Sequence, residues 1–298
     1  MKNSIVMTGA TSGFGAAALE QVVAESDAPI IVGARRPDVI ENIYKDRVKA
    51  VPLDLSSFAS VQSFLNAIPS DTAIDGLVMN AGLTLSKPSM TDDGVEQTFQ
   101  VNYLSHFIIY KALEDRLTPN SRVLTTGSGT HDPDENAPIP SPRYTDVEIL
   151  ADLSKLPKRD RIPIRAAGRA YSTSKLCCIL MAEGIAKRRP AGSAFSFDPG
   201  FLPDTNLARE APKLVFAVVK RVIPFLMTNK DRTGSIETTA PVFASLILGG
   251  ESPAKNGGYV AVRGGNLVAA ETSSLAQTPG LAETLWTQTE AFLEKRGF

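Results

Sequence analysis

The chain has 298 residues, 43% of them hydrophobic and 21% charged, a composition that supplies a core and excludes disorder. Lysine and arginine total 31 against 32 aspartates and glutamates, and a formal charge of −1 gives no field to gather nucleic acid or an anionic membrane. The longest apolar candidate, 214–227, is broken by Lys220, Arg221 and Pro224 short of a bilayer span, and the N-terminus reaches Gly9 before a signal peptide could complete its apolar centre, so a cytoplasmic protein without a transmembrane segment is expected.

Short β-branched runs alternate with helical patterns from the start. Ser4–Met7 reads as a strand, followed by a helix from about Phe14 to Glu25. Pro29–Gly33 and Val48–Leu53 are the next strands, with a helix after Pro37 between them. Ser56 or Ser57 can cap a helix whose Val61, Phe64, Leu65 and Ile68 share one face. Gly76–Met79 and Arg122–Thr126 flank a long helix of roughly Gly94 to Arg116, and Ser193–Phe197 and Gly258–Val262 complete the strands. Apolar strands alternating with helices imply a doubly wound parallel sheet covered on both faces. With no repeat and no linker, 1–298 reads as a single domain.

Two stretches interrupt this rhythm. Residues 131–164 carry six prolines among many charges and read as an insertion, either a functional lid or a mobile segment. Residues 201–232 cluster apolar side chains between polar flanks, which fits either a core-packing helix pair or a substrate-covering flap. Cys177 and Cys178 are neighbours on a helical pattern and point in different directions, so no disulfide is expected between them.

The chemistry begins at Thr8-Gly9-Ala10-Thr11-Ser12-Gly13-Phe14-Gly15, between the first strand and the first helix. Glycines let the backbone turn tightly and approach a pyrophosphate, and the helix start presents free N–H groups to it. The turn lacks the Gly-Lys-Ser/Thr ending of a nucleoside-triphosphate loop, so phosphoryl transfer is disfavoured. At the end of the second strand stand Arg35 and Arg36 with no carboxylate, which favours a 2′-phosphate and hence NADP(H), with NAD(H) left open. Further on, Tyr171 and Lys175 lie four apart, one above the other on a helix. A phenol ionises near pH 10, and an adjacent ammonium favours its phenolate. Ser128 closes the Arg122–Thr126 strand at the carboxyl edge of the sheet, where its hydroxyl can polarise a carbonyl.

This constellation resembles the short-chain dehydrogenase/reductase family over nearly the whole chain. Thr8–Gly15 is similar to its TGxxxGxG turn, Asp54-Leu55 to its adenine contact, Asn80-Ala81-Gly82 to its NAG motif, Tyr171 and Lys175 to its YxxxK pair, and Pro199-Gly200 to the proline-glycine after the sixth strand. Ala34-Arg35 and Val101-Asn102-Tyr103-Leu104-Ser105-His106-Phe107 resemble its retinol-dehydrogenase and protochlorophyllide-reductase-like members most.

The resemblance implies a three-layer Rossmann-type fold and fixes roles. Tyr171 would be the general acid or base, Lys175 would hold the nicotinamide ribose and depress the phenol's pKa, Ser128 would hold the substrate oxygen, and Asn102 would position a relay water. It implies cofactor contacts at Gly9, Thr11, Ser12, Gly13, Phe14, Gly15, Arg35, Arg36, Asp54, Leu55, Asn80, Ala81, Gly82, Tyr171, Lys175, Pro199, Gly200, Leu202 and Thr205. Thr205 is offset by one from the family's threonine, whose place Asp204 takes, and the 43-residue step from Ser128 to Tyr171 is longer than many members use. His106 reads as a packed helix residue and His131 as a loop residue within reach of substrate, with no metal-like partner set for either.

The expected function is NADP(H)-dependent hydride transfer to or from a carbonyl or secondary alcohol on a fairly hydrophobic small molecule, in a chain compatible with a homo-oligomer. Two other readings stay open: a pigment reductase, and a cofactor-sensing module without turnover.

Overall fold

The computed structural model describes residues 3–135, 137, 139–155, 157, 162–202 and 233–298. Among them, eight strands form one sheet in the order β3-β2-β1-β4-β5-β6-β7-β8. The strands are β1 (Ser4–Thr8), β2 (Ile30–Ala34), β3 (Val48–Pro52), β4 (Ile74–Met79), β5 (Leu117–Thr126), β6 (Ser193–Asp198), β7 (Tyr259–Arg263) and β8 (Asn266–Ala269). The first seven run parallel. The order reverses beside β1, where crossovers leave to opposite sides and a crevice opens at the carboxyl ends of the strands.

β8 departs from the expected all-parallel sheet: it pairs antiparallel with β7, with Arg263 opposite Asn266. Gly264 and Gly265, both at positive φ (54° and 80°), make the two-residue turn that allows it.

Helices cover both faces. On one side lie α1 (Gly13–Glu25), α2 (Pro37–Tyr44) and α8 (Ile236–Ile247), burying Leu19, Val22, Ile40 and Phe243 against Val32, Phe195 and Phe197. On the other lie α3 (Phe58–Asn66), α5 (Ser105–Leu113), α7 (Pro163–Arg188) and α9 (Leu281–Glu294). Their core is built from Phe64, Phe107, Leu176 and Trp286. Burial on both faces is why the central strands read as continuous apolar runs.

The long helix expected from about Gly94 begins later, because Gly94 is at φ +71° and Glu96 accepts from the Phe99 N–H at 2.7 Å as a cap. It continues as α4 (Gln97–Phe99), widens into a π-turn over Gln100–Leu104 and resumes as α5. Asn102 sits in that π-turn, the kind of irregularity that re-aims a side chain at a functional site.

Part of the 131–164 insertion packs as structure. Ser172 Oγ donates to Pro140 O at 2.7 Å, and α6 (Val147–Leu150) buries Val147 where Tyr144 donates to Gln288 of α9 at 2.8 Å. Residues 203–232, which hold Thr205 and nearly all of the segment read as flap or core helices, lie outside the described residues. Among the described residues no helix is long and apolar enough to cross a membrane.

Candidate active site

The carboxyl ends of β1, β4, β5 and β6 bring Thr8, Asn80, Ser128 and Asp198 to one edge. Gly9 follows β1 at φ +71°, and a Cβ there would stand 2.5 Å from Ala81 N. A Cβ on Gly15, one turn into α1, would stand 2.2 Å from Gly9 O. Only hydrogen at both positions lets strand, turn and helix close to this distance. The start of α1 stays open: Ser12 makes no side-chain cap bond, the first turn carries no acid, and Thr11 and Ser12 are exposed. Such a helix end offers unpaired N–H groups and a positive dipole to an anion, so these residues fit a dinucleotide's pyrophosphate.

Thr8 ties this turn to the next. Its Oγ1 accepts from Asn80 N and Ala81 N, both at 3.1 Å, and donates to His106 Nε2 at 3.0 Å. Asn80 bridges three strands, donating from Nδ2 to Gly9 O at 2.9 Å and accepting at Oδ1 from Thr126 Oγ1 at 2.9 Å. Asp54 turns on itself, accepting from Ser56 N at 2.9 Å, while Leu55 is buried with its carbonyl bonded by Ser105 Oγ. Arg35 and Arg36 are exposed at the end of β2. Pro199, Gly200 and Leu202 follow β6, with Gly200 at φ +77° and Leu202 buried.

α7 delivers Tyr171 and Lys175 together. Lys175 is buried, donates from Nζ to Thr126 O at 2.9 Å and lies 5.6 Å from the centre of the Tyr171 ring. Desolvation lowers the Lys175 pKa. A Cβ on Gly82 would stand 3.3 Å from Asn102 Oδ1 and 3.5 Å from Lys175 Nζ, so the NAG turn lies directly over both. The Asn102 carboxamide clamps that turn: Nδ2 donates to Leu83 O at 3.0 Å and to Ser174 Oγ at 2.9 Å, and Oδ1 accepts from Leu83 N at 2.8 Å.

Tyr171 is 8% exposed. Burial raises its pKa above the ordinary phenol value, the Asp198 charge adds to the rise, and the Ser128 hydroxyl opposes it. The depression expected from Lys175 is not among the influences on this phenol, which burial dominates. The phenol is therefore held protonated, the form a general acid needs.

Both histidines are structural. His106 is buried and its pKa falls to about 4. Its Nδ1 can only donate to Asn102 O, at 3.1 Å, so the neutral ring accepts the Thr8 hydroxyl at Nε2. His131, expected within reach of substrate, is 1% exposed instead. Its Nδ1 donates to Ser128 O at 2.7 Å and its Nε2 accepts from Ser273 N at 3.1 Å, so both nitrogens are committed inside the protein.

Sequence reasoning missed Thr130 and the Asp198–Arg263 pair. Thr130 donates to Ser128 from N and Oγ1, at 3.2 and 3.1 Å. Arg263 donates to Asp198 at 3.0 Å, with Glu135 3.8 Å from the same guanidinium. Thr130 stands two residues after Ser128, a serine-x-threonine spacing suited to a local turn. The ion pair joins residues 65 apart and has no local signal.

A dinucleotide cradle beside a serine, a tyrosine and a lysine at the switch point of a doubly wound sheet defines a nicotinamide-type oxidoreductase. A family model described as short chain dehydrogenase matches residues 3–132. The chain is 30% identical over 300 residues to a WW domain-containing oxidoreductase of Drosophila melanogaster, covering 96% of this chain and 67% of that protein. It is 30% identical over 249 residues to a polyprenol dehydrogenase of Mus musculus, covering 77% of this chain and 68% of that protein. The crystal structure of an uncharacterised protein from Mycobacterium paratuberculosis has the same fold, with a TM-score of 0.72 at 24% identity, over 98% of this chain and 93% of that one. The chain belongs to the short-chain dehydrogenase/reductase family.

Proposed function

We propose that the protein is an NADPH-dependent reductase of a fairly hydrophobic aldehyde or ketone. The observation that carries this reading is the buried Tyr171, which α7 presents beside Lys175 and whose phenol burial keeps protonated. Reduction of a carbonyl needs a proton for the developing alkoxide, and a protonated phenol at the strand edge is placed to give it. Bound NADPH would supply the hydride.

The chain's own residues do the rest. The α1 start, with Gly9, Thr11, Ser12, Gly13, Phe14 and Gly15, would hold the pyrophosphate, and Asp54, Leu55, Asn80, Ala81 and Gly82 would line the adenosine side. Arg35 and Arg36 support the choice of NADPH, because charge-assisted bonds to a 2′-phosphate would compensate what no carboxylate there could offer NADH. Lys175 would bind the nicotinamide ribose, and Pro199, Gly200, Leu202 and Thr205 would flank the carboxamide. Ser128 would hold the substrate oxygen while Tyr171 protonates it. Asn102 fixes the turn over Lys175 and would anchor the relay that returns a proton from solvent. The relative that is a polyprenol dehydrogenase supports an apolar substrate.

NADPH oxidation across a panel of aldehydes and ketones of increasing apolar length tests the reading. Turnover that strengthens with apolar length is expected. Tight NADPH binding with no turnover on any carbonyl would instead make the protein a cofactor-binding module.

A further inference from the structure

Arg263, the last residue of β7, reaches along the carboxyl edge of the sheet to two acids. It donates from Nη2 to Asp198 Oδ2 at 3.0 Å, and Glu135 Oε1 lies 3.8 Å from the same nitrogen. The side chains of Arg263, Asp198 and Glu135 are only 17%, 4% and 16% exposed, so their charges act through protein more than through water. The nearby His131 adds no charge at neutral pH, because burial lowers its pKa.

Both acids face the reacting edge. Asp198 ends β6, and its Oδ1 accepts the Gly200 N–H at 3.0 Å, a local turn that shapes Pro199-Gly200. A Cβ on Gly129, next to Ser128, would stand 2.9 Å from Glu135 Oε2 and 3.6 Å from Asp198 Oδ2, so the two carboxylates lie against the backbone that follows Ser128. The Asp198 charge also reaches Tyr171 and Lys175, opposing ionisation of the phenol and favouring the ammonium.

In the reductase reading above, Pro199 and Gly200 flank the nicotinamide carboxamide and Lys175 holds its ribose. The oxidised cofactor differs from the reduced one by a positive charge on the nicotinamide ring. Two uncompensated carboxylates at that end would hold NADP⁺ better than NADPH, and a reductase has to let NADP⁺ go. Resting on that reading, we infer that Arg263 is a positioning residue that sets the balance between the two cofactor forms: paired with Asp198 and Glu135, it offsets their charge at the nicotinamide end and keeps NADP⁺ from being retained. If Arg263 served only to tie β7 to β6 and to the turn after Ser128, its loss would weaken both forms alike. A charge effect moves the two forms apart, and in opposite senses when the cation or the anion is removed.

Arg263→Met removes the cation and keeps a long side chain, while Asp198→Asn removes one anion and keeps an amide oxygen for the Gly200 N–H. Dissociation constants for NADPH and NADP⁺, measured by calorimetry at pH 8, give the ratio Kd(NADP⁺)/Kd(NADPH). Arg263→Met should lower that ratio about three- to tenfold, Asp198→Asn should raise it by a similar factor, and Arg263→Lys should leave it within about twofold of the wild type. Ratios that stay put, or that move the same way in Arg263→Met and Asp198→Asn, overturn the proposal. Should Arg263→Met fail to fold, Asp198→Asn decides alone, and a ratio that is unchanged or lowered overturns the proposal. A wild-type protein that binds neither dinucleotide overturns the reductase reading and this proposal with it, whereas binding of both with unmoved ratios overturns the proposal alone.

Discussion

Replacing Tyr171 with phenylalanine removes one oxygen from a buried ring and leaves the packing of α7 in place. The ring is 8% exposed and the Lys175 ammonium stays 5.6 Å from its centre, so the variant should fold and bind NADPH within a few-fold of the wild type. The proton donor is gone, and such groups contribute ~10²–10⁴ in rate, about 3–5 kcal/mol of barrier. Ser128 still offers its hydroxyl to the substrate oxygen, so the residual rate should stay above that of Ser128→Ala/Tyr171→Phe together. The pH dependence of the wild type follows from the same residue. A phenol whose pKa is raised by burial stays protonated through neutral pH, so kcat/KM for reduction should be flat from about pH 6 to 8. The reverse reaction needs the phenolate and should quicken as pH rises over that range. Single-turnover NADPH oxidation, fluorescence titration of NADPH and the two pH profiles check this. A Tyr171→Phe enzyme within tenfold of the wild type would refute the assignment of the acid.

Replacing Arg35 and Arg36 with alanine should raise KM for NADPH by about 10- to 100-fold for each side chain that bonds the phosphate, and KM for NADH by much less, since charged hydrogen bonds contribute roughly 1.5–3 kcal/mol each; equal losses would show that neither side chain reads the phosphate. Glu96 is 2% exposed and its pKa is raised to about 7 by burial, so the folded state favours its protonated form; its stabilising effect is present below pH ~4.5 and is lost as pH rises to 7. Glu96→Gln should therefore raise Tm relative to the wild type at pH 8, by an amount on the order of 3 kcal/mol in stability, and the gain should vanish near pH 4.5 in melts at the two pH values.

What the sequence makes legible is what repeats locally. The parallel strands are apolar because both of their faces are covered, and that burial is written into runs such as Ile5-Val6-Met7 and Ile30-Ile31-Val32. The glycine turn and the Tyr171–Lys175 spacing are local for the same reason: one turn of backbone fixes each. The β7–β8 hairpin had a local signal too, Gly264-Gly265 ahead of a short strand, but β8 alternates too little between buried and exposed residues to stand out as a strand. The remaining misses are long-range. His131 reads as a loop residue from its proline-rich neighbours, and it is buried by Tyr259 and Ser273, more than a hundred positions away. Glu96 carries no local sign of burial, yet its cap position and the 143–151 wall enclose it, leaving Oε1 without a hydrogen-bond partner among the described residues. The elevated Tyr171 pKa has the same origin, because desolvation depends on everything packed around the phenol.

One hydroxyl links the cofactor side of the site to its proton side. Thr8 Oγ1 has a single proton and two candidate acceptors, His106 Nε2 at 3.0 Å and Val78 O at 3.4 Å, and the shorter contact takes it. Its lone pairs hold Asn80 N and Ala81 N, which set the turn over Lys175. Through His106, the same hydroxyl reaches the carbonyl of Asn102, where the π-turn also receives Cys178 Sγ at 3.3 Å. Thr8, Asn80, Asn102, His106 and Cys178 are buried and Ala81 partly so, and with the Thr8 proton on His106 the remaining donors and acceptors leave the network one arrangement of protons. An imidazole with a pKa near 4 stays neutral at physiological pH, and this arrangement persists across the range in which Tyr171 must work. Neutral His106 thus acts as a rigid spacer between the glycine turn and the Asn102 end of the site, and the titrating chemistry is left to Tyr171.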